Sequence, residues 1–121
     1  MKDEEYKKLK NLHCTRLPVE YKANYSFGDI KGEGVLTDIS EGGVALRIKQ
    51  ALAIGDELQI TCRISSGLIL EFSGEVRNIN GNIAGIKIKE IDPSIHERFK
   101  SHIAGILRIA NKKEIEEYKS D

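Results

Sequence analysis

What most restricts the fold of this chain is a period of two that returns six times, each time broken by a turn signal. Leu17, Val19, Tyr21, Ala23 and Tyr25 alternate with Pro18, Glu20, Lys22 and Asn24 before the chain meets Phe27-Gly28-Asp29. A second segment runs from Ile30 to Ile39, and in a third Val44, Leu46 and Ile48 alternate with Ala45, Arg47 and Lys49. After Ile54-Gly55-Asp56, Leu58, Ile60, Cys62 and Ile64 alternate with Glu57, Gln59, Thr61 and Arg63. Ser65-Ser66-Gly67 interrupts again, and Leu68, Leu70, Phe72 and Val76 then share one face of a segment with Glu71, Ser73, Glu75 and Arg77 on the other. Asn80-Gly81 signals a hairpin before Ile86 and Ile88. Side chains two apart lie on one face of an extended chain, so each segment reads as a strand with one apolar side. Six antiparallel strands of this kind cannot stay open in water. Closure buries the apolar faces and removes exposed edges, which predicts a mainly β protein, a six-stranded antiparallel barrel.

The period becomes helical after the last strand. Asp92 suits the N-cap and Pro93 the first helical position. Ile95, Phe99, Ile103, Ile106 and Leu107 fall on one stripe, which predicts a C-terminal helix laid over an open end or flank of the barrel. The stretch from Asn111 to Asp121 is strongly charged, with Ile115 and Tyr118 its only bulky apolar residues, and is expected to carry that helix into solvent. The opening residues are short of apolar side chains and carry Lys2, Lys7, Lys8 and Lys10. The expected division is therefore a charged leader over 1–15, the barrel over 16–92, and the helix with its tail over 93–121.

At 121 residues the chain supports one core. Lys+Arg and Asp+Glu are both 19, so there is no excess positive charge of the kind needed to coat DNA or RNA. A small barrel for single-stranded nucleic acid is a weak reading for the same reason, and because four Tyr, three Phe and no Trp leave little to stack on. No apolar run is long enough to span a bilayer, so membrane insertion is not expected and the location is read as cytoplasmic. Cys14 and Cys62 match no metal spacing and read as reduced thiols; His13, His96 and His102 also lack it and read as solvated or packed. There is no phosphate-binding Gly loop followed by Lys, no nucleophile elbow and no His-Glu-x-x-His, so the reading is of a protein that is not an enzyme and needs no metal or cofactor.

One segment does carry recognition chemistry: Thr37-Asp38-Ile39-Ser40-Glu41-Gly42-Gly43. Asp38 and Ser40, two apart, project from one face of the strand, and Gly42 and Gly43 allow backbone to come close to a ligand. A carboxylate, a hydroxyl and bare backbone at a strand end can cradle a purine base. The plainer reading is local, because Asp and Ser also hydrogen-bond their own turns, and the glycines can serve a bend.

The order of leader, six strands and helix, together with Asp38-x-Ser40-x-x-Gly43, resembles the PilZ family. Gly42-Gly43-Val44-Ala45-Leu46, Ile54-Gly55-Asp56-Glu57-Leu58, Gly74-Glu75-Val76-Arg77 and Ala84-Gly85-Ile86-Lys87-Ile88 add to the likeness, which covers about Leu12 to Ile106. The resemblance implies a split β-barrel that binds the bacterial second messenger cyclic di-GMP. It also implies an unidentified downstream protein, with motility, exopolysaccharide or biofilm control as the output, and a monomer or weak dimer as the working form.

The family reads its ligand with an Arg-x-x-x-Arg pair before the first strand and an Asp-or-Asn-x-Ser-x-x-Gly motif after the second. Arg16 stands where the second arginine belongs, but the position four residues earlier is Leu12. The expected contacts are Arg16, Asp38, Ser40, Gly42 and Gly43, with Lys8, Lys10 and Arg77 as weaker contributors. Arg16 would bond guanine or phosphate, Asp38 the guanine ring N–H and amino group, and Ser40 a phosphate or base edge. Arg77, on the polar face of its strand, reads first as a partner of neighbouring acids. Leu12 also opens the competing reading of an adaptor that has lost nucleotide and acts through protein contacts alone.

Overall fold

The computed structural model describes residues 16–119. Six strands, β1 (Leu17–Phe27), β2 (Ile30–Ser40), β3 (Gly43–Arg47), β4 (Glu57–Ser65), β5 (Leu68–Asn80) and β6 (Ile83–Ile91), precede one helix, α1 (Pro93–Lys119). They close into an antiparallel barrel in the order β1-β2-β3-β6-β5-β4. Each of these segments has become a strand, and Leu36 and Ile39, Leu58, Ile60, Cys62 and Ile64, and Leu70, Phe72 and Val76 line one continuous core, while Ile30 and Ile69 stay exposed. Among the described residues, no helix is long and apolar enough to cross a membrane.

Local chemistry explains the turns. Phe27 pairs with Ile30 and Asn80 with Ile83, so each hairpin closes over two residues, Gly28-Asp29 and Gly81-Asn82. Gly28 (φ 59°) and Gly81 (φ 63°) are left-handed at the first loop position, where only glycine is unstrained. The Asn80-Gly81 signal thus marks the right hairpin but sits one residue early, because Asn80 is still in the ladder. The connection from β3 to β4 crosses the barrel end and is pinned to β5: Gly55 N–H donates to Val76 O (2.8 Å) and Val76 N–H to Asp56 O (2.8 Å).

The barrel is tight everywhere except where it closes. β1 pairs with β4 only from Ala23–Cys62 to Ser26–Gln59, which leaves the first half of β1 without a partner on that side. Helix α1 completes the core. Phe99 and Ile103 are fully buried in it, and Ile95, Ile106 and Leu107 pack against it, as the stripe predicts. Asp92 caps the helix: its Oδ1 accepts from the Ser94 hydroxyl (2.6 Å) and N–H (2.8 Å), and these bonds hold its carboxyl below the ordinary value.

Burial also sets the chemistry of Cys62. Its Sγ lies in the core and donates to Lys22 O (3.3 Å), and burial pushes the thiol up from 9.0 to about 11. The thiolate is the reactive species, so Cys62 in the native protein is expected to resist iodoacetamide at pH 8 and to be labelled only on unfolding. Site-resolved mass spectrometry checks this. Because the unfolded chain releases the proton first, stability from this group is intact below 9.0 and falls as pH rises toward about 11.

Candidate functional site

The outer face of the barrel around the β2–β3 turn collects the polar groups singled out by the sequence. At the β2–β3 ladder, Leu36 pairs with Leu46 and Asp38 with Ala45, so Thr37 is an extra residue on β2. This bulge resets the strand's phase: Leu36 and Ile39, three apart, both face the core, while Asp38 and Ser40 share the outer face. β1 has its own irregularity between Pro18 and Tyr21, beyond which Leu17 pairs with Ile39 and Pro18 with Asp38. Continuing that register places Arg16 across from Ser40. Its guanidinium Nη1 lies 3.5 Å from Asp38 Oδ1, with the arginine side chain 61% and the aspartate 27% exposed. An acid, a hydroxyl and a guanidinium thus converge on one patch of rim.

The turn itself is a two-residue loop, Glu41-Gly42, closed by the Ser40–Gly43 pair. Ser40 Oγ donates to Gly43 O (3.1 Å), the local bond that the plainer reading of this motif anticipates. The two glycines have different roles. A Cβ on Gly43 would run into the carbonyl oxygen of Ile86 on β6, so glycine is required there for β3 and β6 to approach. Gly42 has open space around its Cα and ordinary backbone angles, so packing does not demand glycine at that position.

Across the turn, strand register adds residues that alternation alone does not bring to the site. Gly43 pairs with Lys87, and Lys87 with Glu75, so Arg16, Ser40, Gly43, Lys87 and Glu75 form one outer row. Next to it, Asp38, Ala45 and Gly85 form a second row, and the Asn78 side chain lies over Gly85. Ala45 is buried but is not part of the core cluster. Between the Arg16–Asp38 side and the Lys87 side lie Gly43, the buried Ala45, and Gly85 beneath the Asn78 side chain. Lys87 and Gly85 lie within Ala84-Gly85-Ile86-Lys87-Ile88, whose alternation points Lys87 outward without revealing its neighbour.

Arg77 stands where its plainer reading puts it. Its Nε is 3.6 Å from Glu75 Oε1, and Lys89 Nζ is 3.4 Å from Glu75 Oε2, so one carboxylate serves two cations. Leu12, Lys8, Lys10, His13 and Cys14 lie outside the described residues. The other two histidines make structural contacts: His96 Nε2 is 2.9 Å from Glu41 O, and His102 Nε2 is 3.4 Å from the Tyr21 hydroxyl. Among the described residues, no group of three His, Cys, Asp or Glu could hold a metal ion.

A concavity of about 450 Å³, lined by Asn24, Ser26, Lys31, Glu33, Gln59 and Thr61, lies toward the opposite ends of β1 and β2 from Asp38. It is broad and shallow and brings no acid, hydroxyl and guanidinium together. The rim patch is the stronger candidate because it sets the Arg16 guanidinium against Asp38 beside Ser40, whereas the cation of the concavity is Lys31.

Comparison with solved structures gives the same architecture. The barrel superposes on the Bacillus subtilis inhibitor of motility (MotI/DgrA) with a TM-score of 0.68 at 18% identity, covering 80% of this chain and 50% of that one. The PilZ domain of Escherichia coli YcgR, solved with c-di-GMP, gives 0.64 at 18% identity over 82% of this chain and 93% of that one. YcgR in complex with c-di-GMP gives 0.71 at 17% identity over 84% and 48%. The chain thus spans about half of the two longer proteins and nearly all of the isolated domain. No curated protein matches it in sequence. The PilZ domain family matches residues 13–105, a span that takes in the barrel, the rim motif and the buried part of the helix. The chain belongs to the PilZ domain family.

Proposed function

We propose that this chain is a receptor for cyclic di-GMP and relays the ligand's presence to a partner protein. The observation that carries the reading is the convergence of Arg16, Asp38 and Ser40 on one outer patch at the β2–β3 turn. The Asp38 carboxylate accepts from the guanine N1–H and amino group, an arrangement that rejects adenine, which presents no donor at the ring nitrogen. The Arg16 guanidinium stacks on a base or bonds phosphate. Without ligand, Arg16 and Asp38 satisfy each other at 3.5 Å, an exposed pair weak enough to be exchanged for ligand contacts. The c-di-GMP in the solved YcgR complexes, proteins of the same fold, supports the choice of nucleotide.

Leu12 favours a second reading, a barrel that has given up nucleotide and works as a protein adaptor. A good bidentate contact contributes about 1–3 kcal/mol, so one missing arginine weakens binding by about 5- to 150-fold. Calorimetric titration with cyclic di-GMP, against GTP and cyclic di-AMP, decides between them. Saturable heat with cyclic di-GMP alone is the expected result. A flat titration at millimolar nucleotide would leave the adaptor.

A further inference from the structure

Helix α1 does more than close the core: it touches three separate parts of the barrel through polar side chains. Arg98 Nη2 donates to Gly67 O at the β4–β5 turn, His102 meets the Tyr21 hydroxyl on β1, and His96 Nε2 meets the Glu41 carbonyl at 2.9 Å. The last contact falls on the two-residue loop between Ser40 and Gly43. A carbonyl only accepts, so Nε2 carries the proton and donates. Both carbonyls of that loop are thereby held from outside it, Glu41 O by α1 and Gly42 O by the Ile88 N–H of β6 (2.9 Å). The β6 bond is part of the barrel wall. The α1 bond comes from outside the strand ladders. Lys100, one turn beyond His96, is held above its ordinary value chiefly by its bond to Glu97 (2.7 Å), and the Glu41 carboxylate adds to this, so the same side of the helix faces the loop.

We propose that His96 is a positioning residue that latches the Glu41-Gly42 loop to α1, coupling ligand occupancy at the rim to docking of the C-terminal helix. The inference rests on the proposed function and adds its output element. A loop already fixed by His96 loses less freedom when ligand settles on Ser40 and Gly43, so the latch raises affinity. By linkage, ligand holds the helix down by the same factor. How firmly the helix is held is then what a partner protein senses.

The test is titration of the full chain and three variants with cyclic di-GMP, together with hydrogen exchange over residues 93–109. His96→Ala should raise Kd by about three- to tenfold, the factor carried by one net hydrogen bond. His96→Gln, which keeps a donor of similar reach, should restore most of that loss. Arg98→Ala removes a helix contact at the β4–β5 turn but leaves the His96 bond in place, so its loss should be smaller than that of His96→Ala. In the wild type, nucleotide should slow exchange along the helix, and in His96→Ala this protection should shrink. An unchanged His96→Ala affinity, a glutamine variant as weak as the alanine one, or an Arg98→Ala loss equal to that of His96→Ala would each overturn the latch while leaving the receptor reading intact. A wild type that binds no nucleotide would overturn both.

Discussion

Phe99→Ala should lower the free energy of unfolding by about 3–5 kcal/mol, the range for removing a large, fully buried aromatic side chain. Among the described residues Phe99 is the largest side chain with no measurable exposure, and it comes from the helix rather than from the barrel wall. Its loss leaves a cavity in the core beneath the helix, and the cost depends on how far the neighbouring side chains can collapse into it. Against a typical total of about 5–15 kcal/mol, a loss of that size brings the fold near its limit. The measurement is urea unfolding followed by circular dichroism, with the midpoint and the slope both recorded. Ile54→Ala is the control: Ile54 is 69% exposed, and its removal should change stability by less than about 0.5 kcal/mol. A Phe99→Ala chain within about 1 kcal/mol of wild type would mean that α1 is an accessory and that the barrel folds without it.

That dependence shows which parts of this architecture are legible from residue order. Alternation is a local property, so it marks the strands and, where no bulge intervenes, their buried faces, as in Leu58–Ile64 and Leu68–Val76. The start of α1 was equally readable, because Asp92 and Pro93 act within one turn of where they stand. Pairing between distant strands is another matter. That β3 lies beside β6 and β1 closes on β4 follows from how the whole set buries its apolar faces, and no window of ten residues contains it. The bulge at Thr37 belongs to the same class, since an extra residue exists only relative to the partner strand.

The rim divides along the same line. Asp38, Ser40 and Gly43 stand out because their types and spacing carry the chemistry within seven residues. Lys87, Ala45 and Gly85 do not, because they join the patch only through β3–β6 register. Gly43 also shows how a motif residue can have a packing duty that its sequence context conceals: the demand for glycine comes from Ile86 on another strand. His96 is the extreme case. Nothing around it in sequence marks it, and its partner Glu41 is 55 residues away.

On the receptor reading, Asp38→Ala should weaken cyclic di-GMP binding by about 10- to 100-fold, since it removes a charged acceptor and leaves guanine donors without a partner. The same change should barely touch stability. Asp38 lies on the outer face, its ion pair with Arg16 is in contact with solvent on the arginine side, and such surface pairs contribute about 0–1 kcal/mol. Loss of binding with an unmoved melting temperature therefore separates a recognition role from a structural one. Arg16→Ala should act similarly. The double variant should lose less than the sum of the two, because the residues are in direct contact and each single change also alters the other's surroundings. Leu12→Arg supplies the complementary gain, restoring the guanidinium that the family motif calls for, with an expected improvement of about 5- to 150-fold. Read together, the variants distinguish the two functions. If wild type is silent and Leu12→Arg binds, the barrel has kept a competent site and lost one side chain, as the adaptor reading requires. If wild type binds and Asp38→Ala changes nothing, the convergence of Arg16, Asp38 and Ser40 is a surface ion pair beside a turn, and the nucleotide sits elsewhere.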